Sequence, residues 1–435
     1  MPTNTSHQLA VTLAKRFGGE IINGDAMQMY EGLPIATNKL SAKERKGVPH
    51  HLLDCLPLGD APWTIKQFQC RSLQVIDEVR SRRKVPILVG GTHYYVQSLL
   101  SQHSTLGNTT NSLDIVEQER RWPLLKASGE EMLEELKKVD PTMAAQWHPN
   151  DKRHIRRSLE IWFTTGKRAS DVYNEQRQSK TFSLIRDAEK ATDSTFEKLA
   201  SAAPFEPLLF WLHSSPEILK ARLDDRVLTM VKAGLLAEVT AMHTMYQAAR
   251  ALGQSIDQDK GIWVSIGYKE FLPYILASQS KKEDVPDPIL EKLRLECIEA
   301  TQAHTRQYAK RQVRWIRLKL LHDLQQKDAA KNLFLLDGTD IGHWRENVED
   351  QAVSIASRYM EGCPLPDPTL LSTVAEEMLS QVDKEKSQIA MRCDACDKTL
   401  MGEEQWSFHT RTKRHKAALR SRSKSISVHS KMGFG

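Results

Sequence analysis

EIINGDAMQMY (residues 20–30) decides how this chain folds. Its first three residues form an apolar burst, and Asn23-Gly24-Asp25 then turns it into a polar loop. Just upstream, QLAVTLAKRF (8–17) has the spacing of an amphipathic helix. A helix feeding a buried strand that ends in a polar loop is the second half of a strand–loop–helix–strand unit. The same signature recurs in VPILVGG (85–91), LLFWLH (208–213) and LFLLDG (333–338). Helical patterns lie between and after these bursts, as over 65–83 and 216–239. Strands alternating with helices predict an α/β fold with a parallel sheet.

Residues 115–185 break the alternation. EEMLEELKKVD (130–140) and DKRHIRRSLEIWFTTGK (151–167) are polar and helical with no strand signal, so they predict a helical insertion. The expected organisation is an α/β core in two parts, 1–114 and 186–361, around the insertion at 115–185, with helix dominating 285–361. GCPLPDP (362–368) opens a linker over 362–390. A cysteine-containing module follows at 391–420, and a basic tail at 421–435 is expected to be disordered.

Bulk properties narrow the class. The chain has 435 residues, 40% apolar and 27% charged, with room for two or three domains. It has no apolar run of the roughly 20 residues that span a bilayer, and no signal- or transit-peptide pattern at its start. A cytoplasmic location is expected, with nuclear and mitochondrial pools left open. Cys55, Cys70, Cys297 and Cys363 are scattered without disulfide-like spacing. Net charge is +6 but uneven: Gln302–His322 holds six Lys/Arg and no acid, and 405–435 holds eight and no acid. Such runs suit a polyanion partner, or else a solvated face and a solubilising tail.

The C-terminal CDACDKTLMGEEQWSFHTRTKRHKAALR (393–420) spaces Cys393, Cys396, His409 and His415 as C-x2-C-x12-H-x5-H. That spacing closes two turns around one tetrahedral Zn²⁺, with Leu400 and Trp406 as a small core. A single finger would read only about three base pairs of duplex DNA. RNA contact through Lys413, Arg414, Lys416 and Arg420 fits better, with a protein contact or a nuclear-import signal as alternatives.

Two loops carry candidate chemistry. Asp25 follows a buried strand at its C-terminal end, the edge where open α/β sheets bind ligands. Read alone, it suits a general base, a metal ligand or a turn aspartate. VGGTHYYVQSLL (89–100) repeats the geometry, with Gly90 and Gly91 permitting close backbone approach and Thr92 offering a hydroxyl at a helix start.

Together these segments resemble the tRNA dimethylallyltransferases, also called tRNA isopentenyltransferases, over about residues 8–320. The resemblance rests on INGDAMQMYEGLPIATNK (22–39), VGGTHYYVQSLL, DKRHIRRSLEIWFTTGK, RLDDRVLTMVKAGLLAEV (222–239), SIGYKEF (265–271) and TRQYAKRQVRWIR (305–317). The finger is typical of the eukaryotic branch, and the motif wording is fungal-like. The resemblance implies transfer of a dimethylallyl group from dimethylallyl diphosphate to N6 of the adenine 3′ to the anticodon. It implies Asp25 as the base, Ala26, Met27 and Gln28 along the adenine site, Thr92 near the entering nucleotide, and Arg226 on the diphosphate with Mg²⁺. Without it, Arg226 reads as a helix-surface ion pair with Asp224 or a nearby acid. Two segments match tRNA contacts: Arg153, His154, Ile155, Arg156 and Arg157, then Thr305, Arg306, Gln307, Tyr308, Ala309, Lys310, Arg311 and Gln312. Arg306, Lys310 and Arg314 form one helical stripe, flanked by the aromatic Tyr308 and Trp315. The partners implied are the tRNA anticodon stem-loop and dimethylallyl diphosphate, with no membrane and a monomeric chain.

The family's fold is a P-loop-NTPase-like parallel sheet whose first strand ends in G-x-T-x-x-G-K-[ST]. That loop should end just before QLAV (8–11), where Thr5, Ser6 and His7 stand instead. Either the natural protein carries the strand and loop upstream, or the chain lacks them and is impaired in transfer. The first is expected, because Asp25, Thr92 and Arg226 are in place. The competing functions are a tRNA-binding protein without transferase activity and a prenyltransferase acting on free adenine nucleotides. The basic segments and the finger argue against the latter.

Overall fold

A computed structural model describes residues 5–100, 120–175, 206–254, 256–279, 288–380, 390–396, 398–412, 415 and 419. The chain divides into two compact units. One comprises residues 1–105 with 202–383, the other residues 106–201 with 384–435.

In the first unit, helix α1 (Thr5–Phe17) buries Leu9, Ala10, Val11, Leu13 and Ala14. Gly18, at φ 63°, turns the chain directly into β1 (Gly19–Asn23), every residue of which is buried. β1 is the middle strand of a parallel sheet in the order β2–β1–β3, between β2 (His50–His51) and β3 (Val85–Val89). Parallel pairing requires a crossover, supplied by α2 (Ile65–Ser81). A reciprocal capping box starts α2: the Gln67 N–H donates to the Thr64 hydroxyl, and the Thr64 N–H donates to the Gln67 side chain at 2.8 Å. Helix α3 (His93–Leu100) follows β3.

A second parallel sheet pairs β4 (Leu209–His213) with β5 (Leu333–Asp337). Leu9 and Leu13 of α1 share a core with Ile87 of β3, Phe210 and Leu212 of β4 and Leu336 of β5, so α1 packs on both sheets. Among the described residues, β3 and β4 each pair along one edge only. Most of their residues are half-buried despite the apolar sequence.

The expected helix over 216–239 is two helices, α4 (Pro216–Ala233) and α5 (Leu235–Ala251). Gly234 separates them at φ 112°, a left-handed conformation that ends a helix and that L side chains rarely adopt. The carboxylate of Glu238, on α5, accepts from the backbone N–H of Ile35 at 2.9 Å and of Ala36 at 2.7 Å. This ties the α4–α5 corner to the loop that leaves β1. Helix α6 (Tyr268–Gln279) then leads to α7 (Pro288–Trp315), which spans 28 residues and continues as a π-helical segment, Ile316–Leu320. After β5 come α8 (Gln351–Met360) and α9 (Thr373–Ser380).

The second unit contains α10 (Gly129–Val139) and α11 (Lys152–Thr165), packed through Leu125, Met132, Leu136, Ile155 and Leu159. No strand occurs among its described residues between 120 and 175. The buried Asp140 holds it together, accepting from the N–H of Met143 at 3.1 Å and of Ser170 at 2.8 Å. Farther along, β6 (Ala390–Cys393) and β7 (Lys398–Met401) form an antiparallel hairpin leading to α12 (Gly402–Arg411). Among the described residues no helix is long and apolar enough to cross a membrane.

Replacing Asp140 with Ala leaves two buried N–H groups unpaired, at about 1–3 kcal/mol each. The expected result is loss of amide-exchange protection across 129–170, with β1 and β3 keeping theirs.

Candidate active site

β1 ends where three segments meet. The Gly24 N–H donates to the Val89 carbonyl at 2.7 Å, so the loop after β1 stays against the loop after β3. A Cβ on Gly90 would fall 2.2 Å from the Gly24 carbonyl carbon and 2.6 Å from the Asp25 nitrogen. Only glycine fits there. Thr92 then brackets Asp25: its N–H donates to the Gly24 carbonyl at 3.3 Å, and its hydroxyl accepts from the Ala26 N–H at 3.0 Å. Asn23 fixes the same turn from within. Its side-chain oxygen accepts from the Asp25 N–H at 3.0 Å, and its amide donates to the carbonyls of Asp25 and Leu52, both at 2.9 Å.

One carboxylate oxygen of Asp25 accepts from the Met27 N–H at 2.9 Å. Burial is the dominant influence and pushes the carboxyl up from its usual range. The Met27 and Gln28 N–H groups, then the charges of Arg226 and Lys39, pull it back down. Arg226, on α4, is the charge facing Asp25; burial lowers its pKa and Asp25 raises it. Its Nε is buried without a hydrogen-bond partner. The surface pair with Asp224 does not form: residues two apart on α4 do not face each other, and Asp224 is engaged by Arg306 of α7, its carbonyl also accepting from Gln302 at 3.2 Å. Arg226 is thereby left facing Asp25 with donor capacity to spare, as an anion-binding group requires. Ala26 and Met27 are half-buried; Gln28 is buried, its amide 3.3 Å from the Asn38 carbonyl.

α7 runs beside this loop. Gln312 donates to the Gly91 carbonyl at 2.8 Å, the Tyr308 hydroxyl lies 3.5 Å from the same atom, and Trp315 packs on Tyr94 with ring centroids 4.1 Å apart. Gln307, Lys310, Arg311 and Arg314 are exposed, as is Tyr308 at 42%. Ala309 is half-buried. Thr305 is buried, with its hydroxyl on the Thr301 carbonyl, and Arg306 is half-buried on Asp224. The motif 305–312 thus has an outward cationic side and an inward side that grips the site.

In the second unit, Arg153, His154 and Arg157 are exposed on α11. His154 stacks on Trp147 and bonds Asp151 at 2.8 Å. Arg156 pairs with Glu160 at 2.9 Å, and Ile155 is fully buried, supplying packing rather than surface. Cys393, Cys396, His409 and His415 bring their ligand atoms within 4.8 Å of one another. The His415 Nδ1 lies 3.4 and 3.5 Å from the two sulfurs, the edge lengths of a small tetrahedral site, so this set could hold a metal ion. Lys413, Arg414, Lys416 and Arg420 fall outside the described residues.

Sequence reasoning did not single out Asn23, Glu238 or the inward role of Gln312. Only Asn23, two residues from Asp25, carried a local signal, as a turn-forming asparagine.

A half-buried carboxylate acted on by a guanidinium whose Nε lacks a partner, at the C-terminal rim of a parallel sheet, suits a group-transfer enzyme of the α/β class, with an acidic and an anion-binding half. The family model described as IPP transferase matches residues 28–319. The chain is 32% identical over 424 residues to the tRNA dimethylallyltransferase of Saccharomyces cerevisiae, covering 95% of this chain and 89% of that one. It is 35% identical over 430 residues to that of Schizosaccharomyces pombe, covering 95% and 92%. A solved eukaryotic dimethylallyltransferase acting on tRNA is similar with a TM-score of 0.76 and 31% identity, covering 98% of this chain and 96% of that one. The chain belongs to the IPP transferase family.

Gly90→Ala is expected to push the two loops apart and lower the thermal midpoint by several degrees. Changing Cys393 and Cys396 to Ser, or stripping metal with a chelator, should remove exchange protection from 390–411 alone, with far-UV dichroism otherwise retained.

Proposed function

We propose that this chain is a tRNA dimethylallyltransferase that moves a dimethylallyl group from its diphosphate to N6 of the adenine 3′ to the anticodon. The observation that carries this reading is the Asp25 carboxylate at the end of β1, bracketed by Asn23 and Thr92 and acted on by the charge of Arg226. N6 attacks C1 of the dimethylallyl group, the C1–O bond breaks, and diphosphate leaves with the bonding pair. The exocyclic amine becomes acidic as its bond to carbon forms, and Asp25 takes its proton. Burial raises the basicity of Asp25, the Met27 and Gln28 amides pull it back down, and the bond from the Met27 N–H aims the carboxylate. The unbonded Arg226 Nε suits the charge that develops on the leaving oxygen.

Mg²⁺ would enter with the diphosphate substrate and supply positive charge to its oxygens as it leaves. The adenine must leave its stack to reach a half-buried carboxylate, with Ala26, Met27, Gln28 and Thr92 along its path. Gln307, Lys310 and Arg311 on α7, and Arg153, His154 and Arg157 on α11, offer exposed groups for phosphates. Zn²⁺ suits the Cys393, Cys396, His409 and His415 set. All six cysteines are free of disulfides, which accords with action in the reducing cytoplasm.

The test is incubation of the purified chain with labelled dimethylallyl diphosphate, Mg²⁺ and an anticodon stem-loop. Label on the adenine supports the proposal, whereas salt-sensitive binding without transfer makes this a tRNA-binding protein. Transfer to free AMP at an equal rate makes it a nucleotide prenyltransferase. Asp25→Ala should lower turnover by at least about 100-fold, with stem-loop affinity within about threefold.

Because the base works only when ionised, activity should fall as pH drops through the raised Asp25 pKa. The acid limb of kcat/KM should lie above the usual carboxylate range; a limb at ordinary aspartate values would remove Asp25 from that role.

A further inference from the structure

We infer that Gln312 is a positioning residue, fixing the Asp25 base from the same helix whose outer side offers charge to the tRNA. The inference deepens the proposed function and rests on it. Gln312 is half-buried, and its amide donates to the Gly91 carbonyl at 2.8 Å. The fit is tight, since a Cβ on Gly91 would lie 2.8 Å from the Gln312 nitrogen and 3.7 Å from a carboxylate oxygen of Asp25. The absent side chain at 91 leaves room for the Gln312 amide to sit against the Gly91 peptide beside Asp25.

From Gly91 the path to Asp25 is short. Thr92 follows Gly91 in the chain and holds both the Gly24 carbonyl and the Ala26 N–H, one on each side of Asp25. A shift of the Gly91 peptide moves Thr92, and Thr92 moves the backbone that carries the carboxylate. The Tyr308 hydroxyl donates to the same carbonyl at 3.5 Å, a longer and weaker bond than the 2.8 Å one from Gln312. α7 is itself anchored on both sides of Gln312, by Arg306 on Asp224 and by Trp315 against Tyr94. Lys310, Arg311 and Arg314 face outward on the same helix. Docking an RNA backbone on that side and fixing the base on the other are then two tasks of one rigid element.

Gln312→Ala removes the donor, and Gln312→Glu keeps the shape while setting a negative charge against the Gly91 carbonyl and near Asp25. Both should lower kcat by about 10–100-fold, the scale of a misplaced catalytic group. Stem-loop affinity should stay within about threefold. Gln312→Glu should also shift the acid limb of kcat/KM to higher pH than Gln312→Ala, because a like charge disfavours ionised Asp25. Lys310→Ala should instead weaken stem-loop binding and reduce its salt dependence. Amide exchange at Ala26 and Thr92, read without turnover, should quicken about tenfold or more in either Gln312 variant. Wild-type kcat in both Gln312 variants, a loss confined to stem-loop affinity, or unchanged exchange at Ala26 and Thr92 would each overturn the inference. A wild-type chain that transfers nothing sinks the proposed function instead, and the exchange measurement still decides whether Gln312 holds the loop.

Discussion

The site depends on one close backbone approach. Gly90 lies so near Gly24 and the nitrogen of Asp25 that no side chain fits between them. This brings the two strand-end loops within hydrogen-bonding range, so that Thr92 can hold the chain on both sides of Asp25. Loops with a methyl group between them would lose those bonds first, and the carboxylate would swing on a single anchor. β1 is buried at every residue, so the rigidity of the sheet extends to within two residues of Asp25, the base we propose. Chemistry set on the end of a buried strand inherits the precision of the core.

Opposed electrostatic terms then set the character of Asp25. Removal from water favours the neutral acid, whereas two backbone amides, Arg226 and Lys39 favour the anion. Lys39 is itself held by the carbonyls of Tyr30 and Gly32 and by Asp54, so its influence on Asp25 comes from a fixed position. A carboxylate left wholly in water would be a weak base toward an adenine amine. One wholly desolvated would hold its proton. The balance between these limits is what a proton-accepting role demands, and Arg226 contributes to it while keeping its Nε unbonded.

The sequence made the strands legible wherever they were apolar. The bursts at 20–22, 85–91, 208–213 and 333–338 mark the strands Gly19–Asn23, Val85–Val89, Leu209–His213 and Leu333–Asp337. β2 was not legible, since a strand consisting of His50 and His51 has neither length nor hydrophobic pattern, only its register with Ile21 and Ile22. The split at Gly234 was missed because the apolar periodicity runs unbroken across it, while the backbone does not. Asp25, Thr92 and Arg226 could be picked out from their local settings. Their convergence, and the partners that align them, could not: Gln312 lies 221 residues from Gly91, and Glu238 lies 203 from Ile35. No spacing rule reaches that far. The motif at 305–312 also hid a division of labour, because a cation-rich string looks uniform until a helix turns Thr305 and Gln312 inward and Lys310 and Arg311 outward.

That division bears on the size of the substrate. A site for a free nucleotide needs pocket contacts alone, and exposed cations around it would add solubility and nothing more. Here α7 carries exposed cations and the hydrogen bond to Gly91 within one turn, at Lys310, Arg311 and Gln312. A polyanion lying along the outer side presses on the same rigid segment that holds the catalytic loop. A small ligand would reach the loop without touching the helix surface. The joining of both tasks in one element is thus economical only for a substrate with a phosphate backbone of its own, one long enough to reach α7 while a single base enters beside Asp25.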